Sequence, residues 1–371
     1  MSTLIIPFVD LKTQYLSIKH EIDQAIASVI EETAFIKGKF VENFEKKFAQ
    51  IFEARHCIGV ANGTDAIYVI LKMLGIGNGD EVITTAHTWI STSEMITQAG
   101  ATCVFADIDP DYYTLDAHQV KKKITKKTKA VIPVHIYGQM ADTIALSEIC
   151  NEHGLLLIED CAQSHLSMFK GKYAGKSGIA ASFSFYPGKN LGAYGDAGAI
   201  TTDDDELAQK CRMYANHGGL IRHQHQIEGI NSRLDGLQAA ILDVKLNYLD
   251  SWNKKRIQAA QKYDVLLSNI PQIRTPEVRP ESVHTFHLYV VQCESRDALA
   301  EYLSNAGIQT GIHYPTALPF LPAYHYLKHN RGDFVHTEAL YARILSLPVF
   351  PEITDEQIEY VAQRIREFYS Q

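Results

Sequence analysis

The sequence predicts an α/β protein. A large domain at 1–252 carries a mostly parallel sheet between helices, and a smaller C-terminal α/β domain follows at 253–371. Two observations carry that reading. From residue 57 onward, short apolar runs alternate with helix-like segments, the pattern of parallel strands covered on both faces. Beyond residue 232 the alternation stops. A long helical stretch gives way to a polar, proline-bearing segment, and strand and helix patterns then resume. The 371 residues suffice for two such units and a sizeable core.

Near the start, "YLSIKHEIDQAIASVIEE" sets Ile18, Ile22, Ile26 and Val29 at helical spacing. The runs "CIGVA", "EVITTA", "ATCVFADI", "AVIPVHIYG", "LLLIED" and "ASFSFY" read as strands. Between several of them, "TDAIYVILKMLG", "WISTSEMITQAG" and "DTIALSEICNEHG" read as helices. Gly75 and Gly100 close the first two, where a left-handed residue is wanted. "RLDGLQAAILDVKLNYLDSWNKKRIQAAQKYDVLL" reads as a long helical connector out of the large domain, and "QIRTPEVRPESVH" as a loop. "FHLYVVQC" is then a strand and "SRDALAEYLSNAG" a helix. The final helix opens at "TDEQ", where Thr354 and Gln357 fit a capping box.

Composition narrows the classes of function. A formal net charge of −8 argues against bulk binding to nucleic acid or to an anionic membrane surface, but leaves room for a local anion pocket. No apolar run approaches the ~20 residues of a membrane span. "MSTLIIPFVDLKTQ" lacks the basic start and long apolar core of a signal peptide. Six scattered cysteines, none in a CxxC pair, read as reduced core residues of a cytoplasmic protein.

Three motifs fail on inspection. "GKYAGKS" (171–177) resembles a P-loop, but the first glycine of that motif falls at 170, where Lys170 stands. "GIGNGDEV" precedes a strand instead of opening a helix, so it is a turn and not a dinucleotide fingerprint. "RHQHQ" (222–226) has no Cys or carboxylate at zinc spacing and reads as a solvated loop, so no metal site is expected.

Four other features converge. In "ANGTDAI", a strand ends near Ala61, Gly63 permits a tight turn and a helix begins after Thr64, a place that favours an anion. In "LLLIEDCAQSH", Glu159 and Asp160 end a buried strand where open α/β sheets place ligands, and Gln163 follows close by. Trp89 follows a strand. In "FSFYPGKNLGAYGDAGA", Ser184 and then Lys189 sit at the end of an apolar run and the start of a glycine-rich loop. Lys189 has three readings: a solvated loop lysine, a phosphate ligand or a reactive amine. Pyridoxal phosphate asks for the whole set: an amine for its aldehyde, a carboxylate for its ring nitrogen, N–H and hydroxyl donors for its phosphate, and an aromatic face for its ring.

Taken in order, "PFVDLKTQY", "ANGTDAI", "DEVITTAHTWIST", "ADIDPDYYTLD", "VHIYGQMAD", "IEDCAQSHL", "SFSFYPGKNLGAYGDAGAI", "NSRLDGLQAAIL" and "TGIHYPTALP" resemble the sugar-nucleotide aminotransferases of the DegT/DnrJ family over nearly the whole chain. The resemblance implies the fold type of aspartate aminotransferase and pyridoxal 5′-phosphate as cofactor. It makes Lys189 the Schiff-base lysine, Asp160 the acid at the pyridine nitrogen, Gln163 a neighbour of the ring hydroxyl and Trp89 the stacked aromatic. Gly63, Thr64, the backbone of Asp65 and Ser184 then form the phosphate cup. Asn231 reaches the phosphate of the partner subunit, which implies a homodimer with shared sites. Tyr186, Tyr194, Arg222, His313 and Tyr314 lie in segments the family uses around the sugar nucleotide. Cys161 and His165 stand where many relatives carry alanine or glycine.

The resemblance further implies glutamate as amino donor and a dTDP-linked 3-keto-6-deoxyhexose as acceptor. "NLGAYGDAGA" after the lysine resembles the C-3 enzymes, whereas C-4 enzymes more often carry a loop of the "ITTGEGG" type. The alternatives are C-4 amination of a dTDP- or UDP-4-keto sugar, a dehydratase, and a non-catalytic regulator. Dehydratases of this kind replace the lysine with histidine, so Lys189 speaks against that reading. The complete cofactor set speaks against a regulator.

Overall fold

The alternation of apolar runs and helices is realised as one sheet. In chain order the strands of the first two-thirds are β1 (His56–Val60), β2 (Glu81–Thr85), β3 (Thr102–Ala106), β4 (Thr128–Ile132), β5 (Leu156–Asp160), β6 (Met168–Phe169), β7 (Lys172–Tyr173), β8 (Ala180–Ser184) and β9 (Gly198–Thr202). Seven of them form the main sheet in the order β1-β9-β8-β5-β4-β2-β3. The pairs from β3 through β2, β4 and β5 to β8 are parallel, and β9 runs antiparallel to both β8 and β1. This is a computed structural model, and it describes residues 5–370. The first four residues of the segment read for a signal peptide lie outside that range.

The helices of this part are α1 (Leu11–Ser17), α2 (Lys19–Glu31), α3 (Lys39–Ile51), α4 (Gly63–Met73), α5 (Ser91–Gln98), α6 (Ala117–Lys123), α7 (Thr143–His153) and α8 (Asp205–Tyr214). The single helix expected at the start is two, divided at Ile18. Turning there packs Ile18 and Ile22 against Ile241 and Trp252. "AVIPVHIYG" is not one strand: Pro133 has no N–H for a ladder, and β4 stops at Ile132. The sequence reading missed β9, because its glycine start was taken as part of a loop.

The aromatic residues before Lys189 serve packing. Phe183 and Phe185 meet Phe44, Phe48 and Phe52 edge-on, with ring centres 5.0–5.4 Å apart. They point to the opposite face from Ser184, as strand alternation requires.

The long connector also divides, into α9 (Gly236–Leu246) and α10 (Leu249–Leu267). Beyond it, β10 (Ile273–Arg274), β11 (Ser282–Val283), β12 (Tyr289–Cys293) and β13 (Ile344–Leu347) alternate with α11 (Arg296–Asn305), α12 (Val335–Tyr341) and α13 (Asp355–Tyr369). β10, β12 and β13 form a second, antiparallel sheet, and β11 pairs with β6. Tyr263, Tyr289, Leu299 and Ile365 share a second core with Ile6, which crosses back from the amino-terminal segment. The capping box of α13 is present: Gln357 N–H donates to Thr354 Oγ1 at 3.2 Å and Thr354 N–H to Gln357 Oε1 at 2.9 Å. All six cysteines are buried and unpaired. Among the described residues no helix is long and apolar enough to cross a membrane.

Candidate active site

The carboxyl ends of β2, β4, β5 and β8 share one edge of the main sheet, where open α/β sheets place their ligands. Asp160 ends β5, Ser184 ends β8, and Trp89 follows β2. The start of α4, just after β1, completes the edge. Together these elements line a cavity of about 640 Å³.

At one end of it, α4 begins with Asn62 as cap. Asn62 Oδ1 accepts the Asp65 N–H at 2.8 Å, so that donor is engaged within the chain. The N–H groups of Gly63 and Thr64 have no partner among the described residues. Thr64 Oγ1 lies 2.8 Å from Ser91 Oγ. Glycine at 63 is a matter of space, since a Cβ there would sit 2.6 Å from Ser184 Cβ. Gly198 has the same cause: its Cβ would lie 2.3 Å from the Asn62 carbonyl carbon. The result is a helix start with free donors and hydroxyls around it, a cradle for phosphate.

Asp160 is 4% exposed. Thr92 Oγ1 donates to its Oδ2 at 2.7 Å, and Ala162 N–H to its Oδ1 at 3.1 Å, which fixes the carboxylate plane. Its neighbour Glu159 serves a different purpose. Glu159 is fully buried and accepts N–H bonds from Gly175, Ser177 and Gly178 at 2.7–3.0 Å. His135 Nε2 lies 2.8 Å from it. Burial pushes this carboxyl up, but His135 and the N–H donors outweigh it and hold it below the usual range. The P-loop-like "GKYAGKS" thus wraps its backbone around the protein's own carboxylate. His135, Glu159 and Cys161 are the one metal-like grouping among the described residues. Both ring nitrogens of His135 are engaged, Nε2 by Glu159 and Nδ1 by the Ala141 N–H it accepts.

Lys189 is half-buried and faces the same cavity. Withdrawal from water lowers its amine to about 8, and Asp160, acting through space, pulls it partly back. The sign is clear: a depressed lysine is largely neutral, and so nucleophilic, once the pH passes 8. Cofactor-free protein should therefore link pyridoxal phosphate to Lys189 at a rate that rises with pH and levels off near 8, followed by visible absorbance. A rate still climbing toward the ~10.4 of a free lysine would show that the amine is not perturbed.

Opposite, Gln163 accepts Tyr137 N–H at 2.7 Å and donates to Tyr314 Oη at 3.1 Å. Trp89, 57% exposed, tilts against Tyr314 with ring centres 5.8 Å apart. His313 stacks on Phe8 and shares a 2.8 Å hydrogen bond with Ser346. Burial and the nearby Lys189 draw His313 down to about 4. Tyr186 stands at the rim, 60% exposed.

Three expected residues lie elsewhere in the single chain. Tyr194 is half-buried on the limb after Lys189, against Tyr15 and Lys245. Arg222 and Asn231 are exposed on the segment after α8. Sequence reasoning missed Asn62, Thr92 and His287. Asn62 was legible as an N-cap three residues before Asp65. Thr92 and His287 gave no local signal, since only the fold brings them to the cavity.

Free donors at a helix start, a fixed carboxylate and a perturbed amine around one cavity fit pyridoxal 5′-phosphate. A sequence model of the DegT/DnrJ/EryC1/StrS aminotransferase family matches residues 16–366, and the chain belongs to that family. It is 44% identical to a "pleiotropic regulatory protein" of Geobacillus stearothermophilus, over 98% of each chain. It is 42% identical to the dTDP-3-amino-3,6-dideoxy-alpha-D-galactopyranose transaminase of Aneurinibacillus thermoaerophilus, over 98% of this chain and 99% of that one. It is 40% identical to the UDP-2-acetamido-2-deoxy-3-oxo-D-glucuronate aminotransferase of Pseudomonas aeruginosa, over 96% and 98%. The crystal structure of DesV from S. venezuelae, in complex with a ketimine intermediate, superimposes with a TM-score of 0.97 at 41% identity, over 100% of both chains. The chain is accordingly a sugar-nucleotide aminotransferase.

Proposed function

We propose that this enzyme transfers the amino group of glutamate to C-3 of a dTDP-linked 3-keto-6-deoxyhexose, giving a 3-amino-3,6-dideoxyhexose. It would do so in the cytoplasm as a homodimer, with Asn231 reaching across to the partner's phosphate site. The observation that carries the choice of sugar is the cavity wall. Among the described residues that line it, Lys189 is the one cationic side chain; His313 and His287 are driven neutral by burial, and Phe8, Val9, Leu288 and Val349 form an apolar flank. Such a wall suits the methyl group of a 6-deoxy sugar over the carboxylate of a uronate. The loop after Lys189 supports C-3 over C-4, and relatives named for dTDP sugars support the nucleotide.

Pyridoxal phosphate, when bound, supplies the carbonyl that exchanges the amino group and a ring that draws electrons from the carbon losing its proton. The chain's own residues do the rest. Lys189 holds the cofactor and, once free, moves the proton, a role suited to an amine near 8. Asp160 keeps a proton on the ring nitrogen. The start of α4 anchors the phosphate, while Trp89, His313 and Tyr314 border the space above.

The test offers three acceptors separately with glutamate, with products resolved by NMR. The dTDP-3-keto-6-deoxy sugar should turn over at least about ten times faster than its 4-keto isomer or a UDP-linked 3-keto uronate. Faster turnover of the 4-keto sugar overturns the regiochemistry, and faster turnover of the uronate overturns the reading of the wall.

A further inference from the structure

Behind the Lys189 loop lies a second lysine that this chemistry does not use. Lys245, on α9, is 0% exposed. Its Nζ donates to the Gly192 carbonyl at 2.7 Å and sits 4.3 Å from the centre of the Tyr194 ring. Burial draws it down to about 8, and Glu352 pulls it back only through space. An enclosed ammonium held by a carbonyl and a ring face, with a carboxylate only at a distance, is an expensive way to fill space. An apolar side chain of similar length would pack there at less cost.

Both of its contacts fall on the segment that bears Lys189. That segment leaves β8 after Ser184 and doubles back at Ala193, whose N–H donates to the Phe185 carbonyl at 2.8 Å. Its neck is pinched: a Cβ on Gly192 would lie 2.2 Å from the Pro187 carbonyl oxygen. Lys189 stands in the turn between. α9 grips the returning limb from two positions separated by two helical turns, which share a face. Gln238 Oε1 accepts the Tyr194 N–H at 2.8 Å, and Lys245 holds Gly192. Asn190 is tied from the other side, its Nδ2 donating to Asn253 Oδ1 at 2.8 Å and to the Thr285 carbonyl at 3.0 Å. The segment beside Lys189 is thereby held through the side chain of Asn190 and through the backbone at 192 and 194.

We propose that Lys245 is a positioning residue for the transaminase. Its ammonium, set on the Gly192 carbonyl and the Tyr194 ring, fixes the loop that presents the Lys189 amine to the cavity. A misplacement of about 1 Å in such a group can cost on the order of 10²-fold in rate.

The test rests on Lys189 as the attachment point but uses no sugar, so its failure leaves the choice of acceptor untouched. Cofactor-free Lys245→Met is mixed with saturating pyridoxal phosphate. Covalent capture is followed by visible absorbance per folded chain, and the pH midpoint of that absorbance is then titrated in the loaded protein. Capture should slow by about ten-fold or more and the midpoint should move. A side chain that only fills space would change the melting temperature and leave both readouts alone, and that result overturns the proposal. Should Lys245→Met fail to fold, Tyr194→Leu decides: it keeps the ammonium and its carbonyl bond but removes the ring. Slower capture by that variant supports the proposal, and an unchanged rate sinks it.

Discussion

Lys189→Ala should fold, hold pyridoxal phosphate without a covalent bond, and lose transamination to below about 10⁻³ of the parent rate. Removing a positioned proton carrier alone costs roughly 10²–10⁴, and here the same amine is also the point of attachment. Borohydride should fix the cofactor to the parent chain at Lys189 and to nothing in the variant, with the site mapped by mass spectrometry. A labelled peptide from elsewhere would end the assignment. Folding should survive, because Lys189 is destabilising where it sits. Its amine is lowered to about 8 in the folded state, below the unfolded value, so folding expels a proton and stability rises with pH between the two. Below pH 8 the variant is relieved of that cost, and its melting temperature should not fall beneath the parent's. The relief should fade as the pH climbs past 8 toward ~10.4. The same variant also tests the shared site. Mixed with Asn231→Ala subunits, it should form hybrid dimers with one intact site and regain part of the activity, and no recovery after confirmed exchange would place Asn231 in its own subunit's chemistry.

Much of this was legible beforehand, for reasons that are local. Buried parallel strands announce themselves as apolar runs, so the ends of β5 and β8, and with them Asp160 and Ser184, could be placed from the sequence. The helix start after Ala61 was marked by Gly63 and Thr64. What escaped depended on contacts between distant segments. Glu159 and Asp160 are adjacent and read alike, but strand alternation sends them to opposite faces. One meets a nest of N–H groups from residues 175–178, and the other meets Thr92 and the cavity. The glycines after Lys189 read only as a bare loop around a lysine. Gly192 and Gly198 instead let backbone press on backbone, at Pro187 and Asn62. Lys245 sat in an ordinary amphipathic stretch of helix, and only the fold reveals that it is buried.

Asp160→Asn should keep the fold and the cofactor and still lose on the order of 10²–10³ in turnover. The amide is nearly isosteric. Its oxygen can accept the Ala162 N–H that Oδ1 now takes, and its NH₂ can donate to Thr92 Oγ1, a hydroxyl able to accept as well as donate. Packing at this buried position is therefore preserved, and a large fall in melting temperature is not expected. What disappears is the negative charge. A neutral amide no longer favours a proton on the ring nitrogen, so the ring draws electrons less strongly as the substrate carbon gives up its proton. A second readout separates this from general damage. Asp160 is the charge that pulls the Lys189 amine upward, so in the variant the pH at which covalent capture levels off should move below 8. Slow turnover together with a lowered midpoint is the signature of a lost charge in the right place. Near-parental turnover, or a midpoint that stays at 8, would show that the acid serving the cofactor is not Asp160.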